Sequence, residues 1–409
     1  MGCFWLKRCK EYYIINMDSD GMSNIINTFS TEADIYKVYP KKFHFDVRDI
    51  FDDYWSLFLD YASKHNLEIR SVIKKEVDKM LKCRTPALGY NLYECPNCGY
   101  EHFQYNTCKS RFCNSCGVKY SKERTLNIMS KLVNCPHRHL VFTIPSVLWP
   151  LFREDRKRLN LLFEAVNVTL SSWFKNQKKN ENFKPGFILT IHTFGRDNKW
   201  NPHIHCLIAE MDMGNNTVYK KIDFFPFEML RKRFQKVLLD LLEKDIGKNK
   251  FRTLKNSIYL NSKNGFYVRA KKNEFPNSRK ALEYILRYCG RPAFASYRII
   301  DIENNYITFW YQRHEDDLFA VERIHIVEFI ERLIIHIQEY QFKTIRYYGF
   351  YSSKTHKNYS QFKLLLDKEK LPFYKSLNRW RMMLISTFKK DPLKCPDCGT
   401  IMEFKYVYT

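Results

Sequence analysis

A chain of 409 residues has room for two or three domains and a sizeable core. Its formal charge of +24, from 68 Lys and Arg against 44 Asp and Glu, accompanies an aromatic content of 16%. Cations that track phosphates and rings that stack on bases suit single-stranded nucleic acid, while no apolar run approaches the roughly eighteen residues of a membrane span.

Residues 1–44 are an N-terminal extension with no assignable role. Lys7, Arg8, Lys10 and Glu11 interrupt residues 1–16, which makes them a poor secretory signal. Residues 45–135 read as a helical and zinc-binding DNA-recognition domain. Over 47–82, a stripe of Ile50, Tyr54, Leu57 and Tyr61 predicts two helices broken near His65 and Asn66. A cysteine cluster follows. The chain has 13 Cys, an odd number, and several form Cys-x2-Cys pairs, which fit zinc thiolates in a reducing cytoplasm better than disulfides. Cys95-Pro96-Asn97-Cys98-Gly99 and Cys113-Asn114-Ser115-Cys116-Gly117 are two knuckles separated by residues 99–112. That spacing is close to a zinc ribbon's and predicts one structural Zn2+ held by Cys95, Cys98, Cys113 and Cys116. Cys83, His102 and Cys108 are near enough in sequence to replace a ligand or hold a second ion. Lys109 and Arg111, set among Tyr90, Tyr93, Tyr100, Phe103 and Tyr105, are candidate DNA contacts.

Residues 136–312 carry the candidate chemistry. Residues 139–145 predict a buried strand, 151–178 a long helix with a basic run at 153–158, 186–192 a second strand and 203–209 a third. Alternate side chains of a strand share a face, so His203 and His205 point one way and Ile204 and Cys206 the other. Two imidazoles on one face can share a divalent metal. His192, on the expected hairpin partner, is the first candidate for a third ligand, provided the register sets it opposite His203 or His205. His139 and Glu210 are further candidates. A helix is expected over 226–246, and short strands over 257–260 and 265–269. Residues 279–288 read as a helix closed by Gly290 and Pro292. Its Tyr284 and Tyr288 stand about 40° apart on one face, with Arg287 and Arg291 beside them as candidate phosphate contacts. Residues 296–302 and 306–311 predict a hairpin turning at Asn304 and Asn305. Strands and helices intermix without a strict βα repeat, so the expected class is α+β.

Residues 313–409 form a basic C-terminal region. An amphipathic helix is expected over 321–340 and further helix over 354–390. Cys395-Pro396-Asp397-Cys398-Gly399 is a lone knuckle whose partners chain order does not reveal.

Taken together these motifs resemble a family. A zinc module, a Phe-Thr-Ile-Pro strand end at 142–145, Ile-His-Thr-Phe-Gly at 191–195, Asn-Pro-His-Ile-His-Cys-Leu at 201–207, Glu-Tyr-Ile-Leu-Arg-Tyr-Cys-Gly-Arg-Pro at 283–292 and Ile-Arg-Tyr-Tyr-Gly-Phe at 345–350 occur in the order found in rolling-circle transposases of the insertion-sequence ninety-one type. These are members of the HUH superfamily. The resemblance spans roughly residues 50–400 and implies a ferredoxin-like antiparallel nuclease core with flanking helices, preceded by the helical and zinc-ribbon module. It implies a catalytic Mg2+ or Mn2+ at His203, His205 and His192, and Tyr284 and Tyr288 as nucleophiles. Single-stranded DNA of element ends and target would be the substrate, with no nucleotide cofactor, no membrane, and action in the cytoplasm at the nucleoid. Asn201 stands where many relatives carry a further His, and Phe194 where Trp is frequent. A replication initiator or relaxase would share the chemistry. A non-catalytic zinc DNA-binding protein would bind without a covalent adduct, and a water-using metal hydrolase would survive loss of both tyrosines.

Overall fold

The computed structural model describes residues 25–40, 44–133, 135–177, 184–213, 219–221, 225–269, 292–313, 315–352, 372, 376–377 and 379–408. The expected tyrosine helix, with Tyr284, Arg287, Tyr288 and Arg291, lies outside them, as does most of 354–390.

The described strands are β1 (Ile25–Phe29), β2 (Tyr90–Glu94), β3 (Glu101–Tyr105), β4 (His137–Thr143), β5 (Lys184–Phe194), β6 (Trp200–Met213), β7 (Tyr219–Lys221), β8 (Tyr267–Arg269), β9 (Ile299–Glu303), β10 (Tyr306–Gln312), β11 (Phe319–His325), β12 (Ile345–Tyr348) and β13 (Glu403–Tyr408). The α-helices are α1 (Glu32–Val38), α2 (Val47–Lys64), α3 (Ser71–Leu81), α4 (Asn114–Met129), α5 (Trp149–Glu154), α6 (Leu159–Gln177), α7 (Phe227–Ile246), α8 (Lys248–Asn261), α9 (Ile326–Ile334) and α10 (Trp380–Phe388). Sheets and helices mix and every strand pairing is antiparallel, so the class is α+β.

Contacts divide the chain into two compact units: 1–77 with 195–199 and 293–337, and 78–194 with 200–292 and 338–409. The first holds a sheet in the order β1-β11-β10-β9. Asn304 and Asn305 both take positive φ, 51° and 63°, as a tight two-residue hairpin turn between β9 and β10 requires. Ile35, Ile300, Trp310 and Val321 form a core against this sheet, and α9 buries Phe329, Ile330 and Leu333.

The second unit holds a sheet in the order β12-β5-β6-β4-β8, with β7 on β6, and a smaller sheet β13-β2-β3. Period-two alternation gives β6 two different faces. On the even face lie Ile204, Cys206 and Ile208, and there Phe142 of β4 meets Phe234 of α7 edge-on at 5.2 Å. On the odd face lie His203, His205, Leu207 and Ala209. Leu207 and Ala209 are covered by Ile128, Leu132, Val133, Phe350 and Tyr351, so packing occupies one end of this face and the histidines the other.

Three expectations are corrected. Residues 257–260 belong to α8 rather than a strand. Gly247, at φ +98°, ends α7, and Phe251 and Ile258 then bury one side of a new helix at a seven-residue interval. The helix expected over 321–340 is strand β11 followed by α9. Val321, paired with both β1 and β10, and Ile324, paired with β10, are buried, and His325 Nδ1 then accepts the Val327 N–H to start the helix. The long helix over 151–178 breaks at Asp155, which has an extended backbone and accepts from Lys157 N at 2.9 Å.

Candidate functional site

The register of the β5–β6 hairpin sets His192 directly opposite His203 and Thr190 opposite His205. All three imidazoles therefore share the odd face, and their ligand nitrogens lie within 4.8 Å of one another. The Nε2 atoms of His203 and His205 are 3.0 Å apart. Adjacent ligands of an octahedral ion with bonds of about 2.1 Å lie about 3 Å apart, so the spacing fits a shared divalent cation. The other ring nitrogens are committed elsewhere. His203 Nδ1 donates to the Asn201 carbonyl at 2.8 Å, which leaves its Nε2 as a lone pair aimed into the cluster. His205 Nδ1 meets His139 Nε2 at 2.9 Å, and the two rings stack with centroids 5.1 Å apart. Burial, then the neighbouring His203, push the His139 imidazole down to about 3, so it stays neutral, and a His205 that ligates through Nε2 would donate its Nδ1–H to His139 Nε2. Next to the histidines on β6, Asn201 Oδ1 is buried without a hydrogen-bond partner among the described residues, at the point where the β5–β6 register shifts.

Two further candidates are resolved by position. His139 orients His205 and is not part of the convergent set. Glu210 has the opposite parity on β6, and its carboxylate accepts from Arg138 Nε at 2.5 Å in a buried ion pair. Parity alone excludes it. The role of His139 could not be read from sequence, because β4 joins β6 by a pairing between distant segments.

The sheet also carries the chain towards the tyrosine segment. Val141 pairs with His205 on one side and with Arg269 on the other, so Arg269, the last described residue before 270–291, lies in the histidine row. Pro292, the first described residue afterwards, packs on Gly117 of α4. A Cβ on Gly117 would come within 2.9 Å of the Pro292 ring.

The cysteines do not form the single site expected. Cys113 and Cys116 converge with Cys83 and Cys108, whereas Cys95 and Cys98 converge with Cys395 and Cys398. The physical reason is that the two expected knuckles are different objects. Cys95 and Cys98 sit on a hairpin turn between β2 and β3, while Cys113 is the N-cap of α4. In the first cluster Cys83 and Cys116 Sγ are 3.6 Å apart and Cys108 and Cys116 Sγ 3.5 Å, near the edge of a tetrahedral thiolate site. His102 lies in neither cluster and contacts Gln104 at 3.4 Å. Of the candidate DNA contacts, Lys109 is exposed. Arg111 donates to Thr344 Oγ1 at 2.7 Å and stacks on Tyr120 at 5.2 Å.

Comparison with known proteins matches these regions to two family models: one described as "Transposase zinc-binding domain" over residues 50–144, and one described as "Putative transposase" over 186–359. The chain is 28% identical over 374 residues to the transposase for insertion sequence element IS801 of Pseudomonas savastanoi pv. phaseolicola, covering 86% of each chain. It is 27% identical over 326 residues to "Putative transposase y4qJ" of Sinorhizobium fredii, covering 76% of this chain and 81% of that one. These matches support a transposase of the insertion-sequence ninety-one type. No solved structure matches. The zinc-binding match and the cysteine clusters support structural Zn2+ in this transposase, and its substrate is DNA. Among the described residues, no helix is long and apolar enough to cross a membrane.

Proposed function

We propose that this transposase nicks single-stranded DNA at element ends by tyrosine transesterification and passes the strand on through a rolling-circle-like reaction. The observation that carries this reading is the convergence of three imidazoles on one sheet face, with His203 and His205 already oriented through their Nδ1 atoms. His192, His203 and His205 would hold Mg2+ or Mn2+, and the nitrogen-rich set favours Mn2+. An ion held there supplies positive charge that polarises the scissile phosphate and offsets charge developing on it.

Tyr288 or Tyr284 is the nucleophile in this reading. Its phenolic oxygen bonds to phosphorus as the P–O3′ bond breaks. The tyrosine proton ends on the departing 3′ oxygen, giving a 5′-phosphotyrosine and a free 3′-hydroxyl. The phosphodiester energy is retained, so rejoining needs no nucleotide cofactor. Two tyrosines four residues apart in sequence can hold donor and recipient strands in turn. Arg287 and Arg291 are assigned to phosphate contacts, and Lys109 and Arg111 to the DNA backbone beside the zinc module. The half-exposed rings of Phe103, Tyr406 and Tyr408, grouped with Tyr90 and Tyr105, suit stacking of unpaired bases. In this scheme 45–135 recognises DNA, 136–312 is the nuclease, 313–409 is the basic C-terminal region, and the protein works at the nucleoid.

The test is incubation with Mn2+ or Mg2+ and labelled single-stranded element ends, followed by denaturing electrophoresis. A metal-dependent protein–DNA band is expected, lost in Tyr284→Phe/Tyr288→Phe and in His203→Ala/His205→Ala. Cleavage without an adduct would move the assignment to a water-using hydrolase. Binding to a cognate end without cleavage would move it to a binding module.

A further inference from the structure

We propose that Cys95, Cys98, Cys395 and Cys398 hold a second zinc ion, one that closes the last described strand onto the zinc-module hairpin and builds a ribbon from two distant parts of the chain. The four thiols come from positions separated by 303 residues in one pair and 297 in the other, yet Cys95 Sγ is 3.4 Å from Cys398 Sγ and Cys98 Sγ is 3.6 Å from Cys395 Sγ. These gaps are too long for disulfides, whose sulfurs lie about 2.05 Å apart. They approach the edge of about 3.8 Å expected for four thiolates around zinc at about 2.3 Å.

The two knuckles are the same structure used twice. Each reads Cys-Pro-x-Cys-Gly, with Gly99 at φ +71° and Gly399 at φ +78°. In each the glycine N–H returns to the first cysteine carbonyl, at 2.9 Å from Gly99 and 3.0 Å from Gly399. The first cysteine N–H reaches the residue after the glycine, Tyr100 O at 2.9 Å and Thr400 O at 2.8 Å. Backbone pairing and packing agree with the sulfur geometry. β13 runs antiparallel to β2, and Cys95, Cys395 and Met402 form a buried cluster with Tyr93 and Tyr100. A structural four-cysteine site is closed, with no open position for substrate, so the ion's work here is assembly. The matched zinc-binding region ends at residue 144 and cannot supply this site alone.

The test is zinc stoichiometry of the full chain by native mass spectrometry. Cys395→Ser/Cys398→Ser should lose one ion relative to wild type while keeping the other. Cys83→Ser/Cys108→Ser should lose the other ion while keeping this one. Cys398→His, which preserves a ligand, should keep both. A second measurement uses the unaltered protein. Cys98 and Cys398 are exposed, yet both should resist alkylation until a chelator removes zinc, and then label together. A Cys395→Ser/Cys398→Ser chain with undiminished zinc, or a Cys398 that alkylates equally fast with and without chelator, overturns the proposal. Neither readout depends on DNA cleavage, so its failure is separate from failure of the nuclease reading.

Discussion

At the scale of single residues, β4 places two buried histidines with different tasks. His139 Nε2 is 2.9 Å from His205 Nδ1, and in the metal-ligating tautomer of His205 it accepts and should act as a positioning residue. Removing the partner of a ligating imidazole weakens metal affinity about 10–100-fold in comparable sites. His139→Phe keeps the ring stack and removes the acceptor, so the Mn2+ concentration giving half-maximal adduct should rise by about that factor, with adduct yield recovering at saturating Mn2+. A loss that excess metal does not restore would point to a disrupted sheet instead. His137 is fully buried, donating from Nδ1 to the Cys135 carbonyl at 2.8 Å and accepting from the Tyr351 hydroxyl at 2.7 Å. Burial depresses His137 from the ordinary 6.5 to about 4. The unfolded chain binds this proton below 6.5 and the folded chain only below about 4. The stabilisation is thus present above 6.5 and is lost as pH falls towards 4, on the order of 3 kcal/mol in all. The melting temperature should fall less between pH 7 and pH 4.5 in His137→Gln than in the parent. Equal slopes would show that His137 is protonated in the fold.

At the scale of elements, the delivery of β8 into the histidine-bearing sheet hangs on one glycine. Gly265 has φ +82°, and a Cβ there would lie 2.3 Å from the Arg231 carbonyl carbon and 2.4 Å from Lys232 N in α7. Gly247 has φ +98° with nothing within 4 Å of such a Cβ. Gly247→Ala should therefore cost only the backbone strain, about 1–2 kcal/mol. Gly265→Ala should cost more, because rigid backbone must also move. Urea denaturation of the two variants decides it, and equal losses would mean that the loop yields freely. These elements also mark where sequence was informative. The β5–β6 hairpin was legible because alternation and the turn-rich 194–201 stretch are local signals. α7 was legible from its 3.6-residue stripe. β11 was not, because consecutive residues Ala320, Val321 and Glu322 are buried on both of its faces, which masks alternation, and the 257–260 stretch of α8 fits either period in a short apolar window.

At the scale of the whole molecule, what sequence withheld is the pairing of distant segments. Each cysteine knuckle was visible, but the match of 95–99 with 395–399 required noticing that both are Cys-Pro-x-Cys-Gly turns while 113–117 opens a helix. The register of β4 against β6, which brings His139 to His205, has no local signature at all. Composition is the opposite case, because net charge is global and fully legible. A charge of +24 on a DNA-acting chain predicts that binding releases counterions. For single strands the logarithm of affinity falls with the logarithm of salt by about 0.7 per phosphate contacted, so a footprint of about six phosphates gives a slope of about −4. Fluorescence anisotropy with an unrelated oligonucleotide across a salt series measures it. A shallow slope would mean that the lysines and arginines lie away from the DNA path, and that stacking on the rings of β2, β3 and β13 dominates. A steep slope that flattens once Tyr406 and Tyr408 are both replaced by alanine would mean that the rings hold the strand where the cations can reach it.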